Sequence, residues 1–138
     1  MSAAFVKACE MPEGRMVFFC LIYLYKKEYP TGWHLPSDAE WTQLTDFVGS
    51  NSGTKLKAKI GWSDYGNGTD DYGFSVLPGG YRDDIGTFYN IGNYGGWWGA
   101  RELDATHAWF RFMYYYYSNI YRGSYDKELG FSVRCVRD

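Results

Sequence analysis

Histidine occurs twice and cysteine three times in these 138 residues, and no two cysteines form a CxxC pair. A zinc site built from closely spaced thiolates is not expected. Cys9, Cys20 and Cys135 allow at most one disulfide within the chain, and no redox compartment follows from that count. Charge of one sign is lacking too. Fourteen basic against sixteen acidic residues leave a net charge of −2, so electrostatics gives no reason to expect nucleic acid or an anionic membrane as partner. A bilayer-spanning helix needs about twenty apolar residues, whereas the run "MVFFCLIYLY" (16–25), after Arg15 and before Lys26 and Lys27, has ten. It reads as a buried strand near the start of the fold. The alternative is a signal-peptide h-region, but no small-x-small cleavage pattern follows it. Membrane insertion is not expected.

Aromatic residues are what the chain has in excess, at 21%, together with seventeen glycines. Hydrophobic content of 46% with 22% charge describes a folded chain. Its length suits one domain, residues 1–138, able to bury roughly two-thirds of its unfolded surface. Aromatic and glycine enrichment without long helical periodicity predicts an α+β fold with short antiparallel strands and long ordered loops.

One helix is marked out clearly. In "LPSDAEWTQLTDFVGS", Ser37 as N-cap and Glu40 three residues on form a capping box. Asp38 and Glu40 suit the positive end of the helix dipole. Trp41, Leu44 and Val48 recur on one face and Gly49 supplies the stop, which predicts a helix over 38–48. A shorter helix is expected in "GTKLKAKIG". Turn-rich stretches such as "GNGTDDYG" and "LPGGYRDDIG" then separate short runs at 74–77, 87–89, 97–100, 108–117 and 131–136 that read as strands.

Catalytic residues are sparse. His34 and His107 have no spacing that suggests metal ligation or a triad, and each reads as structural. Asn67, Asp70 and Asp71 lack the spacing and distal Glu of an EF-hand loop and read as an Asx-rich turn. "RDD" at 82–84 reads as a surface turn, and no glycine-rich phosphate loop follows a strand. No enzyme, metal or cofactor is expected.

The stretch "RFMYYYYSNIYRGSYD" (111–126) is different, holding six of the fourteen tyrosines and only three formal charges. Alternation in a strand places Phe110, Phe112, Tyr114 and Tyr116 on one face, and Trp109, Arg111, Met113 and Tyr115 on the other, where Trp and Met suit a core. Packing accounts for one face. The second leaves a row of rings for solvent or a partner.

The blocks "PTGWHLPSDAEWTQLTDFVG", "GNGTDDYGFSVLPGGYRDDIGTFYNIGNYGGWW" and "GFSVRCVRD" resemble the Fibrobacter succinogenes major paralogous domain, over residues 30–138. That family is similar to the formylglycine-generating-enzyme branch of the C-type lectin fold. Residues 1–28 depart from the family's usual, longer N-terminal half. Where the family tends to carry Cys this chain has Tyr29, which leaves Cys20 as the nearest candidate partner for Cys135. The closely spaced reactive cysteine pair of the formylglycine-generating enzymes is not reproduced.

The family includes variable proteins of diversity-generating retroelements, in which adenines of a template repeat are miscopied. Templates there look like "AWNRNLNYNNSNVNRNNNNK", against "AWFRFMYYYYSNIYRGSYDK" at 108–127 here. The positions matching template Asn are Phe110, Phe112, Tyr114, Tyr116, Tyr117, Asn119, Tyr121, Gly123, Ser124, Tyr125 and Asp126. Each is reached from an Asn codon by changing adenines alone, whereas Trp109, Met113 and Lys127 are not. The resemblance therefore implies a ligand-binding site at those eleven residues, taking a protein or glycan, on a domain displayed outside the cell or on a virion. Tyrosine with small polar residues is also the palette of antibody loops. The rival expectation is a lectin of fixed specificity, with or without calcium, that stacks sugars on the same rings. Binding of single-stranded nucleic acid through stacked Tyr with Arg111 and Arg122 is weaker, given the negative net charge.

Overall fold

The computed structural model describes residues 31–138; the apolar run 16–25, Cys9, Cys20 and the expectations attached to them lie outside the described residues. The fold is α+β, with elements in the order β1 (Trp33–His34), α1 (Asp38–Val48), α2 (Ser52–Leu56), β2 (Tyr81–Arg82), β3 (Phe88–Tyr89), β4 (Tyr94–Glu102), β5 (His107–Tyr114), β6 (Tyr121–Asp126) and β7 (Val136–Arg137).

Helix α1 covers the residues its sequence predicts. Ser37 accepts from the Glu40 amide while the Glu40 carboxylate takes the Ser37 amide, and Gly49 closes the helix at φ 71°. Helix α2 overlaps the second expected segment, 53–61, but starts one residue before it at Ser52 and stops at Leu56, where Lys57 turns to extended backbone.

The principal sheet is an antiparallel meander, β4-β5-β6. Trp98, Phe110 and Gly123 stand in one row across it, and Gly96, Phe112 and Tyr121 in the next. Cross-strand partners share a face, so one face carries Tyr94, Trp98, Phe110, Phe112, Tyr114 and Tyr121. Its opposite carries Trp97, Arg111 and Met113. The second face packs into a core with Trp41, Leu44 and Val48 of α1, Leu56 of α2 and Trp62, Phe74 and Val76. The first face buries Trp98, Ala108 and Phe110 against Leu35 and Phe131. Alternation in the sequence thus becomes two cores on two sides of one sheet.

Several expected strands come out shorter. Phe74–Leu77 contributes a single bridge, Val76 to Lys57, and the stretch 131–136 supplies a Ser132–Trp97 bridge before β7 pairs with β1. Strand β5 ends at Tyr114 and does not run on to Tyr117. Cys135 is buried and disulfide-bonded. Among the described residues, no helix is long and apolar enough to cross a membrane.

Candidate functional site

A connected array of rings covers the open part of the first sheet face. Tyr125 meets Phe110 edge-on at 6.2 Å, Phe110 stacks on Phe112 at 5.3 Å, and Phe112 reaches Tyr121 at 5.9 Å. Tyr121 contacts Tyr117 at 4.7 Å, Tyr117 contacts Tyr116 at 4.8 Å, and Tyr116 stacks on Tyr114 at 5.5 Å. Tyr114 leans on Tyr94 at 4.9 Å, and Tyr94 leads through Tyr81 to Tyr89 at 6.1 and 5.5 Å. Each such pair adds about 0.5–1.5 kcal/mol beyond its burial, so the rings hold one another in place. Exposure nevertheless reaches 62% at Tyr116, 52% at Tyr125, and 43% at Tyr121 and Tyr89. A contiguous exposed aromatic surface of this kind normally marks an interaction site.

The structure brings together Phe112, Tyr114, Tyr116, Tyr117, Tyr121 and Tyr125 of the residues the sequence singles out. Phe110 belongs to the same array but is a correction to its expected exposure. It is only 4% exposed, because Phe131 stacks on it at 4.8 Å and Trp98 meets it at 5.9 Å. It is the floor of the site. Gly123 lies opposite that floor, where a Cβ would stand 2.8 Å from Phe110 Cε1. Ser124 and Asp126 pair with Trp109 and His107 and so belong to the other face. Asp126 accepts from the Glu128 amide at 3.0 Å. Asn119 turns inward, its Oδ1 accepting from the Ser52 amide at 3.2 Å. Trp109 is likewise corrected: it is half-buried, not a core residue, with the Arg122 guanidinium 3.4 Å above its ring.

Tyr81 and Tyr89 extend the surface over Tyr94, which is only 6% exposed and lies beneath them, and none of the three is among the residues the sequence singles out. The signal was available for two of them, since "GYRDDIGTFYN" is a hairpin pattern that sets Tyr81 beside Tyr89.

What fixes the tyrosine turn between β5 and β6 is backbone chemistry. The ammonium of Lys57, a residue 1% exposed, donates to the carbonyls of Tyr114, Tyr115 and Tyr117 at 2.8 Å each. Three donors meet three acceptors, which is why the strand stops at Tyr114. Burial pushes the Lys57 amine down to about 8, while the three carbonyls favour its charged form. Thr54 donates its amide to the Ser118 carbonyl at 3.0 Å. Gly53 and Gly66 let the turn approach closely, since a Cβ would lie 2.8 Å from the Asn119 carbonyl carbon or 2.6 Å from the Tyr115 oxygen. None of these contacts uses a tyrosine side chain.

The neighbouring strands are pinned to α1 by Asp38. Its carboxylate meets Arg111 Nη1 at 2.8 Å and Arg122 Nη2 at 2.9 Å. Burial works to raise its pKa, but hydrogen bonds from both guanidiniums outweigh that and hold it below the usual range. In the array, burial raises the Tyr94 and Tyr81 phenols, and desolvation followed by the adjacent Tyr116 raises Tyr117. All three phenols stay neutral at physiological pH.

Elsewhere the polar residues are occupied locally. Asp70 accepts from the Ser75 amide and hydroxyl at 2.7 and 2.5 Å, Asn67 accepts from the Trp62 amide at 2.9 Å, and Asp83 accepts from Thr87 at 2.7 Å. His34 lies between Asp138 and Glu40, and His107 beside Asp104 and Thr106. Among the described residues, no group of three or more His, Cys, Asp or Glu side chains is placed to hold a metal ion.

The family model of the Fibrobacter succinogenes major domain matches residues 12–137, reaching further toward the N-terminus than the resemblance visible from residue 30. No curated protein and no solved structure matches the chain significantly.

Proposed function

We propose a binding function for this chain, which belongs to the Fibrobacter succinogenes major domain family. In this reading it is a non-enzymatic ligand-binding domain of the C-type lectin fold, displayed on a cell surface or virion. Its segment 108–127 is the variable region of a diversity-generating retroelement. The ligand is a protein or a glycan.

The observation that carries the reading is the separation of rings from backbone. Exposed tyrosines project from a turn whose conformation is held by Lys57, Thr54, Gly53 and Gly66 through main-chain contacts. The tyrosine side chains there can change without removing those main-chain contacts, which is the property a diversified surface needs, although Asn119 also holds the turn through its own side chain. Tyrosine further provides large contact area at low rotamer cost.

Sequencing the encoding locus across related isolates tests it. Sister copies are expected to differ at Phe112, Tyr114, Tyr116, Tyr117, Tyr121 and Tyr125, while Trp109, Met113 and Lys127 stay fixed. The tyrosine codons should share one third base, and a near-copy of the segment should lie beside a reverse transcriptase. Substitutions spread evenly through residues 30–138, without a template repeat, would favour a lectin of fixed specificity. A glycan array run with and without calcium then identifies that lectin directly.

A further inference from the structure

Beside the tyrosine turn lies a cleft of ≈ 300 Å³, bounded on one side by Tyr115, Tyr116 and Tyr117 and on the other by Asp64, Tyr65 and Asn67. The second wall lies outside the segment 108–127. Asp64 and Tyr65 are consecutive non-glycine residues at φ 47° and 61°. Left-handed backbone is uncommon for such residues, and two in succession turn both side chains outward. Both are exposed, and Tyr65 is 104% exposed, a ring packed against nothing. No hydrogen bond or ion pair engages the Asp64 carboxylate among the described residues, in contrast to Asp70, Asp83 and Asp104, each of which accepts local amides.

The third wall is Lys57, whose charge persists but whose donors are all engaged. All three ammonium protons point to carbonyls of Tyr114, Tyr115 and Tyr117, which leaves it no donor for a ligand anion. The cleft therefore offers one unpaired carboxylate and several tyrosine side chains, and no cation with a donor left for an anion. Aromatic faces attract cations through their quadrupole, and a planar guanidinium both stacks on rings and forms a paired hydrogen bond with a carboxylate.

We propose that this cleft receives a basic side chain of a protein ligand, arginine in preference to lysine, with Asp64 as its counter-ion and Tyr65 closing over it. The proposal deepens the binding reading by naming the chemistry taken at one end of the surface. It rests on that reading for the protein ligand, while the cleft itself can be probed alone.

The probe is N-acetyl-arginine amide, titrated into the full chain while the tyrosine ring protons are followed by NMR, with the neutral citrulline analogue and N-acetyl-lysine amide as comparisons. Saturable shifts confined to Tyr65, Tyr115, Tyr116 and Tyr117 are expected with arginine. They should be weaker with lysine and absent with citrulline. Asp64→Asn should weaken arginine binding by about fivefold, the upper range for an exposed ion pair, whereas Asp46→Asn, an exposed carboxylate on α1 outside the cleft lining, should leave it unchanged. Equal shifts with arginine and citrulline, or an Asp64→Asn chain that binds as tightly, would overturn the proposal. Those results are independent of whether sister copies vary at 108–127, so either idea can fail without the other.

Discussion

Gly123 stands opposite Phe110 in the β5–β6 ladder, and the Phe110 ring fills the space that a side chain at 123 would need. A Cβ there would also come within 3.2 Å of Phe112 Cε1. The two positions therefore compete for one volume. Gly123→Val is expected to destabilise by about 1–3 kcal/mol, as overpacking does. Phe110→Ala, which empties a site walled by Trp98 and Phe131, should cost about 3–5 kcal/mol. In the double variant the valine fills part of what the ring vacates, so urea melts of the four chains should show a coupling of at least about 1 kcal/mol. Strict additivity would mean that the strands separate to admit both groups.

Lys57 reaches the tyrosine turn through carbonyls alone, so its removal should disturb the turn whatever side chains the turn carries. Lys57→Met keeps the buried stem and leaves the Tyr115 and Tyr117 carbonyls without a donor, while Tyr114 keeps only the Tyr117 amide. An unsatisfied buried acceptor costs about 1–3 kcal/mol, and a loss of roughly 3 kcal/mol or more is expected. Amide hydrogen exchange should locate the damage: residues 115–120 lose protection first, with α1 little changed. Uniform loss of protection would place Lys57 in the global core instead.

The parts of the fold that were legible are those whose cause lies nearby in sequence. Ser37, Glu40 and Gly49 define α1 from within a few residues, and the α1 boundaries follow. Alternation likewise assigned Phe112 and Met113 to opposite faces correctly. What alternation cannot reveal is how far each face is covered. Phe110 is buried and Phe112 half-open because Phe131, far along the chain, reaches one ring and not the next. The end of β5 was equally hidden, since the ammonium that takes the Tyr114, Tyr115 and Tyr117 carbonyls comes from Lys57 in a separate segment. Tyr81 and Tyr89 join the site through Tyr94, by contacts between distant stretches that no local pattern encodes. Asn119 matched a variable position in sequence, yet its amide oxygen is taken by Ser52.

Scaffold and surface should separate under mutation. Trp41 is 0% exposed and lies in the core beneath the sheet, so Trp41→Ala should cost about 3–5 kcal/mol. Tyr116 and Tyr121 are 62% and 43% exposed, and Tyr116→Ala or Tyr121→Ala should change stability by under roughly 1 kcal/mol. Thermal melts make the comparison. Tyrosine variants as damaged as Trp41→Ala would show that the ring array is a structural element and not a free surface.

The junction of β1, α1 and the last residue sets the response to pH. His34 Nδ1 is 2.6 Å from Asp138 and Nε2 is 2.8 Å from Glu40. The hydrogen bond with Asp138, then that with Glu40, raises the His34 pKa above its ordinary 6.5, against a smaller lowering by burial. A pKa raised in the folded state means that the imidazolium stabilises folding fully below 6.5. That contribution disappears as pH climbs through the raised folded value. Glu40 acts in the opposite direction. Burial tends to raise it, but the Ser37 amide and hydroxyl and the His34 ring hold it below its ordinary 4.5, so its contribution is lost as pH falls. Stability should therefore peak between the two ranges. His34→Gln keeps a hydrogen-bonding group without the titration, and its melting temperature should be flat across the alkaline side where the parent declines. A parent and a His34→Gln chain with the same slope above neutral pH would assign that decline to another group.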